Sequence, residues 1–79
     1  MKNFYQTVTT NLSPRSYDEW VEYEGEDLDE AIKKRDVENR INCDPKYYTE
    51  VRRYKGETLD EAIFSGCYDI ILEKEVSKI

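Results

Sequence analysis

Residues 17–32, YDEWVEYEGEDLDEAI, align without gaps on residues 48–63, YTEVRRYKGETLDEAI, at an offset of 31. Ten of the sixteen positions are identical, from Tyr17/Tyr48 through Gly25/Gly56 to Ile32/Ile63. Two copies are too few for a solenoid, which needs about three or more units to bury its faces. The pattern therefore predicts one supersecondary unit used twice within a single domain over residues 1–79.

Each copy reads as strand, glycine, helix. Residues 20–23 and 47–54 are rich in aromatic and β-branched side chains, as strands are. Gly25 and Gly56 should then break the extended run by taking backbone angles other residues avoid. Asp27 and Thr58 each stand three positions before a Glu, the spacing of a helix N-terminal capping box. Leu28, Ala31 and Ile32, like Leu59, Ala62 and Ile63, fall on one helix face, ready to pack on a sheet.

Punctuation places the remaining elements. Residues 3–10 predict a first strand, Pro14 lies in a turn, and Asp44–Pro45 breaks the chain after the first helix. Gly66 is placed to cap the second helix, and residues 68–76 predict a last strand. The order β-β-α-β-α-β predicts an α+β two-layer sandwich: one sheet of about four strands with both helices on one face. If the crossovers are right-handed, the two repeat strands lie parallel. As neighbours they would set Glu22 beside Arg53 and Glu24 beside Lys55.

Composition narrows the function. With 79 residues the chain has a modest core, since such a domain buries only about 60% of its unfolded surface. There is no run of ~20 apolar residues and no apolar secretory stretch at the start, so no membrane role is expected and the location reads as cytoplasmic. Cys43 and Cys67 form no CxxC pattern and read as reduced thiols. The net charge of −6 argues against direct nucleic-acid binding, which needs clustered Lys and Arg. The chain has no histidine, removing the usual acid–base group and commonest metal ligand. No phosphate loop or activated nucleophile is visible. The expectation is a non-enzyme without metal or cofactor.

Eight acids fall in the thirteen residues 18–30, with no base among them. Asp27, Asp29 and Glu30 answer to the cap and the helix dipole. Asp18, Glu19, Glu22, Glu24 and Glu26 do not; they concentrate charge around Trp20 and Tyr23. Such a run either solvates one face or steers a basic partner. Trp20 aligns with Val51 and reads as a core residue, while Tyr5, Tyr17, Tyr23, Tyr48 and Tyr54 are candidate exposed aromatics. The second copy carries Arg52, Arg53 and Lys55, which would pair across strands or hold phosphates.

In general character, as a short, acidic, histidine-free single domain, the chain resembles small inhibitors from phages and mobile elements, such as anti-CRISPR and anti-restriction proteins. That resemblance implies a binding protein that occupies a basic, nucleic-acid-handling surface of a host-defence protein such as a CRISPR–Cas effector. Asp18, Glu19, Glu22, Tyr23, Glu24 and Glu26 would be its contact residues. Residues 56–63, GETLDEAI, are similar to a stretch of HicB-type antitoxins where a strand enters a helix, which implies an antitoxin-like accessory domain as the alternative. A small oligomeric nucleotide binder is a third reading. An uncovered edge strand also allows a homodimer.

Overall fold

The computed structural model describes residues 2–15, 17–42 and 44–72. Its elements are β1 (Lys2–Asn11), β2 (Asp18–Gly25), α1 (Leu28–Ile41), β3 (Tyr47–Gly56), α2 (Leu59–Ser65) and β4 (Tyr68–Ile71). The α+β class, the single four-strand sheet and the order β-β-α-β-α-β are as the sequence predicts. The last strand covers only the first part of the predicted 68–76, of which positions 73–76 lie outside the described residues. Cys43 lies outside them too, and Cys67 carries an exposed free thiol.

Both helices start where the capping boxes place them. The Asp27 side chain accepts the Glu30 N–H, and the Thr58 hydroxyl accepts the Glu61 N–H. Gly66 closes α2 in the left-handed region, at φ 74°, where a Cβ would be strained. Among the described residues it is the only glycine with positive φ, so Gly25 and Gly56 are not there for unusual backbone angles. Gly56 answers instead to close approach: a Cβ on it would stand 2.9 Å from the Ala62 nitrogen.

The strand order is β2-β1-β3-β4, with every neighbour antiparallel. The two repeat strands, β2 and β3, run parallel to each other, but β1 lies between them. They are not neighbours, and the expected pairs Glu22–Arg53 and Glu24–Lys55 do not form. Helix length explains the rest. Fourteen residues of α1 span ~21 Å at ~1.5 Å per residue, enough to carry the chain back along the sheet. The seven of α2 span only ~10 Å, so β4 starts near the end of β3 and runs back antiparallel.

Alternation in β1 sorts the core into two clusters. Tyr5, with Val51 and Ile71, faces α1 and packs on Ala31 and Ile32, flanked by Tyr23 and Leu28. Thr7 shares that face and donates to the Ala31 carbonyl at 2.7 Å. Phe4 points the other way and packs with Tyr54 against Ala62, Leu59 and Ile63 of α2. The helices therefore lie on opposite faces, not on the one face expected. The repeat itself is the reason. Tyr23 and Tyr54 are equivalent and each adjoins its own helix. Yet Tyr23 sits in register with Thr7 and Tyr54 with Phe4, and Thr7 and Phe4 alternate to opposite faces.

Two edges bound the sheet. β4 covers β3 only from Val51 to Tyr54. Just past its end, the Asn39 carboxamide accepts the Thr49 N–H and donates to the Thr49 carbonyl, both at 3.2 Å. A side chain from α1 thus does there what a neighbouring strand would do. The other edge, β2, carries the acidic run.

Gly56→Ala tests the close approach of α2 to β3. The added methyl meets α2 backbone, which cannot swing aside, so the variant should lose about 1–3 kcal/mol in urea denaturation. A loss below about 0.5 kcal/mol would mean that α2 is not seated on β3 as described.

Candidate functional site: an acidic edge strand

β2 divides its acids between both faces of the sheet. Glu19 and Glu24 stand opposite Thr10 and Gln6, on the face not covered by α1. Asp18 stands opposite Asn11, on the α1 face with Trp20 and Tyr23. Between Val21 and Tyr23 the register slips, and Glu22 is the extra residue of a bulge with no partner on β1. Glu26 lies beyond Gly25, in the turn that leads into α1.

Several of these groups are already bonded within the fold. Glu22 accepts the Trp20 indole N–H at 2.7 Å and the Thr9 hydroxyl at 3.0 Å. Glu24 accepts from the Gln6 amide at 2.7 Å. The Tyr23 hydroxyl accepts the Asp27 N–H at 3.2 Å, while its ring flanks the α1 core cluster, so it is half-buried support for the helix entry. Asp18, Glu24 and Glu26 are exposed, and among the described residues no side chain bonds the carboxylates of Asp18 or Glu26. Trp20 is not the core residue expected. It is 40% exposed, its ring edge-on to Tyr47 with centroids 6.4 Å apart. Its repeat equivalent, Val51, is fully buried because β3 is a central strand and β2 an edge.

Glu19 is different, since it belongs to an ion cluster that spans the sheet. Arg52 of β3 reaches over β1 to Glu19, Nη2 to Oε2 3.0 Å, while its Nε bonds Glu50 on its own strand. Its guanidinium also lies over the Tyr68 ring of β4, 4.6 Å from the centroid. One side chain thus links β2, β3 and β4 across the face that α1 does not cover. Burial opposes the Arg52 charge, but the hydrogen bonds to Glu19, Glu50 and Tyr54 outweigh it and raise its pKa. In return the Arg52 hydrogen bond, ahead of its charge, holds the Glu19 carboxyl below the usual carboxylate range. The Glu19 charge, first, pushes the Tyr17 hydroxyl up.

The basic residues of the second copy do not form one cluster. Arg52 and Arg53 are consecutive and face opposite ways, and Arg53 is paired with Asp69 at 3.1 Å. Of the candidate exposed aromatics, Tyr5 and Tyr54 are buried, and Tyr17 and Tyr48 are exposed. Among the described residues no three Cys, Asp or Glu side chains converge on a metal site, and no helix is long and apolar enough to cross a membrane. Comparison with protein-family models, curated proteins and solved structures finds no match to this chain.

The role missed from sequence is that of Arg52, whose partner lies two strands away. Removing it tests the cluster. Arg52→Met should cost about 1–3 kcal/mol at neutral pH, because Glu50 is left half-buried without its cation. A carboxyl with a depressed folded pKa stabilises above its unfolded value and loses that contribution as pH falls through the folded one. The gap between wild type and variant should therefore narrow on acidification below about pH 4. Urea titrations at neutral pH and near about pH 3 check this; a gap independent of pH would remove Glu19 from the account.

Proposed function

We propose that this protein is a small acidic binding module that covers a basic, nucleic-acid-handling surface of another protein and thereby blocks it. One observation carries the reading: an edge strand presents carboxylates on both faces, and among the described residues only Glu19 of residues 18–30 is in an ion pair. Folding accounts for the caps, for Glu22 and for Glu19. It does not account for Asp18 and Glu26, nor for the exposure of Glu24. Unneutralised acids gathered on one edge give a local negative field that steers a cationic partner. The small, acidic, histidine-free character agrees with a phage or mobile-element inhibitor of host defence, and a CRISPR–Cas effector or restriction enzyme has the basic channel such a module fits. The nucleotide-binding alternative finds no support in Arg52 and Arg53, each of which is tied to a carboxylate.

The structure selects the residues for the test. Asp18 and Glu26 can be reversed to Lys and Glu24 neutralised to Gln, whose carbonyl still accepts from the Gln6 amide, with little effect on folding, whereas Glu19 and Glu22 are held by bonds of the fold. Immobilised wild type should capture nucleic-acid-handling proteins from a nuclease-treated host lysate, identified by mass spectrometry. The captured proteins should be displaced by DNA or heparin and released between about 0.1 and 0.5 M salt. The triple variant, shown folded by circular dichroism, should capture none of them. Equal capture by the variant, or retention despite excess DNA, would overturn the proposal.

A further inference from the structure

An edge strand leaves the N–H and C=O of alternate residues without a partner in the sheet. β2 runs eight residues along such an edge, divided by the bulge at Glu22 into Asp18–Val21 and Tyr23–Gly25, and no described strand lies against its outer side. The opposite edge is treated differently: β4 is four residues long, and where it stops Asn39 takes both backbone groups of Thr49. β2 has no such plug among the described residues.

We propose that β2 accepts an extended, Lys- or Arg-bearing segment of the partner protein as a fifth strand. The proposal rests on the acidic-module reading above and adds the backbone to it. Charge decides what enters. A second copy pairing β2 with β2 would set carboxylates against carboxylates, which is unfavourable at cross-strand distances of ~4.5–5.5 Å. A basic strand gains from the same geometry on either side of the sheet, because Glu24 stands on one face and Asp18 on the other, neither of them in an ion pair among the described residues. A groove of about 370 Å³ runs between β2 and α1, lined by Glu22, Tyr23, Glu30, Lys33, Lys34 and Val37. Tyr23 and Val37 suit the aliphatic stem of a long basic side chain, with Glu22 and Glu30 near its head. Lys34 is turned to Glu38, 3.4 Å away.

The chain reports on this edge through its single tryptophan, Trp20, which lies on β2. The probe is a synthetic peptide alternating Lys and Val over about ten residues, the length of a long strand. Its control is the same sequence N-methylated at alternate residues on the pairing edge, which keeps the charge and removes the backbone donors. The parent peptide should change Trp20 emission and slow hydrogen exchange of β2 amides. The methylated peptide should bind at least ~10-fold more weakly, a difference of about 1.4 kcal/mol or more. Equal binding by both peptides would overturn strand addition while leaving the acidic module in place. Binding by neither would overturn both. Slowed β2 exchange in the protein alone at high concentration, with a dimer in sedimentation, would give the edge to a second copy and overturn the proposal as well.

Discussion

The central strand β1 is buried on both faces yet carries a polar sequence, and the rest of the structure is arranged around that fact. Gln6, Thr7, Thr9 and Thr10 are all buried. A buried hydroxyl or amide without a partner costs about 1–3 kcal/mol, so each neighbour of β1 has to supply one. Thr7 is answered by the Ala31 carbonyl, which ties α1 to the sheet. Thr9 meets Thr49 of β3 at 2.8 Å and Glu22 of β2. Gln6 is answered by Glu24. These bonds fix where α1 sits and which way the two flanking strands face. They also commit two of the edge carboxylates before any partner arrives.

The same strand explains what the sequence could and could not convey. The helix starts were legible because a capping box is local: Asp27 and Thr58 bond groups three residues away. The end of α2 was legible for the same reason, from Gly66. The strands were legible from composition, but their order was not, because it depends on β1 entering between the two copies of a repeat that resemble each other. The repeat then misled on helix placement. Identical side chains at Tyr23 and Tyr54 hide a difference in register, and register alone decides the face.

The candidate site was legible as composition and illegible as geometry. Eight acids in thirteen residues announce a charged surface; they do not say that Glu22 will turn back to Trp20 and Thr9, or that Glu19 will meet Arg52 across β1. Those contacts join residues 33 positions apart for Glu19 and 13 for Glu22, a separation that no local pattern encodes. Tyr23 shows the converse, since its position amid acids says nothing of the support its ring and hydroxyl give to the entry to α1.

Divergence between the two copies now has a physical reading. The second copy occupies an interior strand and has Arg52, Arg53 and Lys55 where the first has Val21, Glu22 and Glu24; both arginines are absorbed by carboxylates of the fold, Arg52 by Glu19 and Glu50 and Arg53 by Asp69. The first copy occupies an edge, carries acids there, and among the described residues receives only one cation. An edge protected solely against self-pairing needs no more than a charge or two. Here the carboxylates extend past the strand into the turn at Glu26, beyond the reach of any edge-to-edge contact in β2. Charge placed where neither capping, nor hydrogen bonding, nor edge protection calls for it is the charge on which the proposed binding to a cationic partner rests.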